Sequence, residues 1–271
     1  MDWEAEYNTR ARVADSAAIL QRWERDAAAF RAAHRRVELA LPYGDGAREK
    51  LDLFWPETGE TKSAPVALFI HGGYWQALDR SACSMLARGL NARGIAVALP
   101  SYDLCPAVSV GHVVGQMRAA SLLLHRRLGR RLLAMGHSAG GQLVAMLMAT
   151  DWPALGGPAR LVGAGLPISG IFELEPVRAT SMGKALGLDA EGARRLSPRW
   201  LPSPGLPLHA VVGGAESDEF RRQTREFAVA WGGSAEEAAG ANHFTVVEPL
   251  TDPGSRLVAT AVALAETLAR A

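Results

Sequence analysis

The pentapeptide Gly136-His137-Ser138-Ala139-Gly140 lies between an apolar run, Leu132-Leu133-Ala134-Met135, and a helical pattern that continues to Thr150. A serine hydroxyl is a weak nucleophile unless its Oγ is exposed beside a general base and a site for developing negative charge. Gly-x-Ser-x-Gly between a strand and a helix supplies the exposure. A sharp, strained turn lifts the serine above the sheet, and the flanking glycines remove side-chain clashes. Such a pentapeptide also occurs by chance in Gly/Ser-rich connections; its strand–turn–helix setting gives it weight. Ser138 is the expected nucleophile.

A second glycine-rich segment, His71-Gly72-Gly73-Tyr74-Trp75, ends an earlier apolar run. Glycines there let the backbone approach a substrate carbonyl, so the N–H groups of Gly73 and Tyr74, with that of Ala139, are the expected oxyanion donors. One such aligned donor contributes about 3 kcal/mol to transition-state stabilisation. His71 is read as a structural residue holding this loop. Tyr74 and Trp75 could stack on an aromatic substrate, with core packing the competing reading for Trp75.

The chain has 7 histidines. In hydrolases that carry their serine on a strand–turn–helix the chain order is Ser, acid, His. His34, His71, His112, His125 and His137 precede or adjoin Ser138, and His209 falls inside the apolar segment Leu206 to Val212, as a satisfied core histidine would. His243, in the loop Gly240-Ala241-Asn242-His243-Phe244, remains as the general base. The acid should follow Val211-Val212-Gly213-Gly214, where Glu216, Asp218 and Glu219 compete. Asp218 and Glu219 suit a helix cap and first turn. Glu216, first after the strand, is favoured, with Asp218 as its rival.

These groups must be held by a sheet. Val66–Ile70, Ile95–Leu99, Leu132–Met135, Leu161–Ile168 and Leu206–Val212 are apolar on both faces, as strands of a parallel sheet covered on two sides must be. Helical patterns alternate with them, at Ser81–Asn91, Val110–Arg127, Ala139–Thr150, Glu219–Trp231 and Asp252 to the C-terminus. The alternation predicts an α/β fold with a doubly wound, mostly parallel sheet. Val37–Leu41 and Leu51–Trp55, joined by Tyr43-Gly44-Asp45-Gly46, predict an N-terminal antiparallel hairpin at one edge. Residues 1–36 read as a helical segment, with Ile19, Leu20, Trp23 and Phe30 near helical spacing, and residues 173–204, punctuated by prolines, as a small lid-like insertion. The 271 residues are expected to form one domain.

A hydrophobic content of 48% suits a sizeable core, and a formal net charge of +1 argues against nucleic acid or an anionic membrane as partner. Cys83 and Cys105, the only 2 cysteines, make no disulfide framework and read as reduced thiols. The acidic N-terminus resembles no secretory signal and no run is long enough to span a bilayer, so a cytoplasmic location is expected. No cluster has metal-ligand spacing, and neither a metal nor any other cofactor is expected. A small-molecule substrate is the expected partner; a homodimer is compatible with the sequence.

His71-Gly72-Gly73-Tyr74-Trp75 resembles the HGGxW motif of the kynurenine formamidases (arylformamidases), serine hydrolases of the α/β-hydrolase fold. Leu51-Asp52-Leu53-Phe54, Gly136 to Gly141, Ser169 to Pro176, Glu216 to Gln223 and Asn242-His243-Phe244 look like further blocks of that family, so the likeness runs from about residue 37 onward. It implies Ser138 as nucleophile, Glu216 as acid (where the family usually carries Asp), His243 as base, and Gly73, Tyr74 and Ala139 around the oxyanion. The activity implied is metal-independent hydrolysis of an aryl formamide, N-formylkynurenine first. A broad carboxylesterase resembling the hormone-sensitive-lipase group is the alternative, although that group's motif is HGGG and Tyr74 replaces its third glycine. A non-catalytic ligand-binding protein on a hydrolase fold is the remote third reading.

Overall fold

The structure is a computed structural model that describes residues 1–59 and 64–269. In chain order come helices α1 (Trp3–Tyr7), α2 (Thr9–Arg12) and α3 (Ser16–Ala33), then strands β1 (Val37–Pro42), β2 (Lys50–Phe54) and β3 (Val66–Ile70). A 3-10 segment, Arg80–Ala87, leads into α4 (Arg88–Ala92), β4 (Ala96–Pro100), α5 (Val110–Leu128), β5 (Leu132–His137), α6 (Ala139–Met148) and β6 (Val162–Ile168). Then follow α7 (Glu175–Arg178), α8 (Ala190–Arg195), β7 (His209–Gly213), α9 (Asp218–Ala230), β8 (Ser234–Ala238) and α10 (Arg256–Ala269).

The eight strands form one sheet in the order β1-β2-β4-β3-β5-β6-β7-β8. The first two pair antiparallel, β2 pairs antiparallel with β4, and every pairing from β4 to β8 is parallel. The hairpin extends one edge, as its alternating pattern predicts. Both-face burial explains the apolar runs. In β3, Val66, Leu68 and Ile70 enter one core cluster while Ala67 and Phe69 enter the other; in β5, Leu132 and Ala134 alternate with Leu133 and Met135 in the same way. On the second face lies α3, which buries Ile19, Trp23, Ala27 and Phe30, a helical stripe.

Three features differ from expectation. Ser234–Ala238 is a parallel edge strand although Ser-Ala-Glu-Glu-Ala is polar and largely solvent-facing; pairing with β7 holds it, not burial. Most of the expected helix over Ser81–Asn91 is wound as 3-10, with α-helix only from Arg88. His209 is no core residue: it opens β7 half-buried, with Nδ1 2.7 Å from Ser234 Oγ and Nε2 3.4 Å from Glu236.

Candidate active site

Ser138 lies at the junction of β5 and α6 with φ 56° and ψ −118°. A non-glycine residue with positive φ costs on the order of 1–3 kcal/mol and persists only where its surroundings over-determine it. Here the surroundings are tight backbone contacts. A Cβ on Gly140 would sit 2.0 Å from the carbonyl oxygen of Ile70, so the first turn of α6 packs directly on the end of β3. A Cβ on Gly72 would lie 3.0 Å from that of Ser138, which brings the glycine-rich loop against the turn.

Behind the serine, Glu216 and His243 meet. Glu216 Oε2 is 2.6 Å from His243 Nδ1. Glu216 Oε1 accepts from the Gly213 N–H at 2.7 Å and from Ser169 Oγ at 2.5 Å, so both carboxylate oxygens are engaged and the group is fixed although buried. Ser169 is itself held at φ 48° and donates its N–H to Val211 O at 2.7 Å. Asp218 does not compete for the imidazole: it stands exposed in the first turn of α9, 3.3 Å from Arg221. Glu219 is buried but accepts from Tyr7, Arg222 and Gln223.

The His243 ring is packed between the rings of Phe220 and His137, each with its centroid 4.7 Å away. His137 Nε2 is 2.7 Å from the His243 carbonyl. That oxygen can only accept, so Nε2 carries the proton. Burial, then the neighbouring His243, holds the His137 pKa well below the ordinary histidine range, and the ring is neutral.

The loop after β3 has Gly73 at φ 98° and Tyr74 at φ 53°. Among the described residues the N–H groups of Gly73, Tyr74 and Ala139 donate to no backbone carbonyl, as donors reserved for a ligand would be left. His71 stacks on Tyr102 at 4.2 Å, and the Tyr102 hydroxyl donates to the His71 and Gly72 carbonyls, so this pair braces the loop from below. Burial lowers the His71 pKa to about 4. The Tyr74 hydroxyl donates to the backbone carbonyl of Tyr7, which ties the loop to the N-terminal helices. Trp75 departs from the expected stacking role. It is 0% exposed and sits in the core beneath the loop, outside the lining of the cavity.

Ser138, His243, Gly73 and Tyr74 line one cavity of about 230 Å³. Its other walls come from Asn8, Thr9 and Arg10 on the N-terminal segment, Leu20 and Trp23 on α3, and Met182 of the insertion. The insertion is tied down by Gln76 Nε2, which donates to Met182 O at 2.9 Å, and by Glu4, which accepts from both the N–H and the hydroxyl of Ser181. Sequence reasoning missed Ser169, His137 as an anchor, and the N-terminal walls. Trp23 had been visible only as one position of an apolar stripe.

Among the described residues no group of three His, Cys, Asp or Glu side chains is placed to hold a metal ion, and no helix is long and apolar enough to cross a membrane. No family profile matches the chain. A kynurenine formamidase of Salmo salar is 33% identical over 229 residues, which cover 79% of this chain and 77% of the relative. A crystal structure from Silicibacter sp., described as a thioesterase candidate, superposes with a TM-score of 0.89 at 36% identity and covers 97% of this chain and 99% of that one. An esterase of Pyrobaculum calidifontis, at 18% identity over 93% of this chain and 92% of its own, shares the fold with a TM-score of 0.69. The chain belongs to the kynurenine formamidase family, and it is a hydrolase of the α/β-hydrolase fold.

Proposed function

We propose that the chain hydrolyses aryl formamides, with N-formylkynurenine as lead substrate, through a formyl-enzyme on Ser138. The observation that carries this reading is that His243, fixed from behind by Glu216, lines the same cavity as Ser138. Ser138 Oγ attacks the formyl carbon and gives its proton to His243 Nε2. The oxyanion takes hydrogen bonds from the N–H groups of Ala139 and of the Gly73–Tyr74 loop. Collapse breaks the C–N bond as His243 returns the proton to the departing aniline nitrogen. Water, activated by the same imidazole, then releases formate and frees Ser138. Glu216 holds the imidazole by Nδ1 and stabilises the imidazolium without taking its proton.

The cavity is small and mostly apolar, which suits a single aromatic ring, and the relatives from Salmo salar and Danio rerio carry the name kynurenine formamidase. On this reading the N-terminal segment and the 173–204 insertion act as the cover of one catalytic domain. Every group named comes from one chain, so a second subunit is not required. The buried free thiols of Cys83 and Cys105 support a reducing, cytoplasmic setting.

Turnover of N-formylkynurenine against p-nitrophenyl acetate, within a panel of formanilides, acetanilides and short aryl esters, tests the substrate class. The reading requires formanilides to be cleaved and Ser138→Ala to abolish that cleavage. Efficient ester cleavage with inert formanilides would instead favour ester or thioester hydrolysis, the reading to which the 36%-identical thioesterase candidate points.

A further inference from the structure

We propose that Arg10 selects substrates that carry a carboxylate on the departing group. Among the described residues lining the cavity over Ser138, Arg10 is the only Asp, Glu, Lys or Arg; it stands exposed at the rim, and the other linings are apolar or polar and uncharged apart from His243 and the neutral His137. Among the described residues its guanidinium has neither an ion-pair partner nor a hydrogen bond. Arg22, Arg80 and Arg222, by contrast, are committed, to Glu248, to Asp52 and to Glu219 and Glu173 respectively.

The acidic side chains of the same segment are also taken. Glu4 accepts from Ser181 and Asn8, and Glu6 accepts from the Glu219 N–H at 2.9 Å. The backbone under Arg10 is nevertheless fixed. Asn8 Oδ1 accepts from the Ala11 N–H at 3.1 Å, Ser16 Oγ donates to the Arg10 carbonyl at 3.1 Å, and Thr9 is buried. A fixed base with an uncommitted cation at an apolar opening is poised for a carboxylate, which a guanidinium grips through two parallel N–H···O bonds. The side of the scissile bond rests on the formamidase reading, because a formyl group has no room for a charge. The carboxylate must therefore sit on the departing group.

The test compares matched pairs that differ only in that charge. In the formamide series these are (ortho-formamidobenzoyl)propanamide and (ortho-formamidobenzoyl)propanoate; in the ester series, the two ortho-acetoxy counterparts. Arg10→Met and Arg10→Gln should raise KM for the carboxylated formamide about tenfold or more, since a charge-assisted bond is lost. They should leave kcat and both parameters of the neutral partner within about twofold. Arg10→Lys should recover part of the affinity, and added salt should raise the wild-type KM for the acid alone. An unchanged KM for the acid in Arg10→Met, or equal losses on acid and neutral partner, overturns the proposal. If only the ester pair is cleaved, the formamidase reading falls while the same comparison within that pair still decides on Arg10: a selective rise in KM sustains it, and equal values remove it.

Discussion

His137 donates from Nε2 to the backbone carbonyl of His243 at 2.7 Å, so the residue before Ser138 anchors the loop that carries the proposed base. The neutral ring has one N–H, and this carbonyl takes it. A misplacement of the base by about 1 Å can cost on the order of 100-fold in rate. His137→Ala should therefore lower kcat by about 10- to 100-fold with little change in KM, and His137→Gln, which keeps a donor, should lose less. Steady-state kinetics with a thermal melt separate this from packing: a lower melting temperature with unchanged kcat would assign His137 to the core alone.

Glu216 and Asp218 give the sharpest contrast in one loop. Glu216→Gln leaves His243 without its carboxylate and should reduce kcat/KM by about 10⁴-fold, the scale seen when a triad acid becomes an amide. Asp218→Ala removes an exposed partner of Arg221 and should stay within about twofold of wild type. Comparable losses in the two variants would contradict the assignment of the acid.

Acid should unfold the protein partly through His71. Burial lowers its folded pKa to about 4, against about 6.5 in an unfolded chain. The unfolded state thus takes up the proton first as pH falls. Stability from the neutral ring is complete above about pH 6.5 and is lost as pH falls from there through about 4, at about 1.4 kcal/mol per pH unit. Urea denaturation across that window should show a shallower loss for His71→Gln than for wild type. Parallel curves would mean that His71 is not the group titrating.

Trp75 should matter to stability and not to recognition of a substrate ring. It is fully buried, so Trp75→Ala should cost about 3–5 kcal/mol in chemical denaturation. Trp75→Phe should keep the ratio of KM values for aromatic and aliphatic formamides, because the ring lies outside the cavity lining. A selective rise in KM for aromatic substrates would restore the stacking role.

The elements legible in the sequence are those whose burial is written locally. Val66–Ile70 and Leu132–His137 are apolar on both faces because both faces are covered, and the serine turn between β5 and α6 follows from its glycines. The edge strand Ser234–Ala238 escaped because a solvent-facing strand needs no apolar alternation. Glu216 was separable from Asp218 by position and by the family resemblance alone; the three donors to its carboxylate come from Gly213, Ser169 and His243, which no local pattern brings together. Tyr74 read as an aromatic face, yet its hydroxyl is used on Tyr7. Arg10 and Trp23 looked like ordinary helix positions because the walls of the cavity are set by tertiary docking.

Tyr7 and Glu219 are 212 residues apart, and their 2.9 Å contact helps dock the start of the chain on α9. During synthesis Tyr7 emerges 212 residues ahead of that partner and waits for it. Ser138 can be presented by its turn well before then, but Glu216 and His243 are translated in the same late stretch as α9. A nascent chain that has passed Ser138 but not yet α9 therefore lacks both the docking partner of Tyr7 and the proposed base, and the two arrive within one short stretch of synthesis.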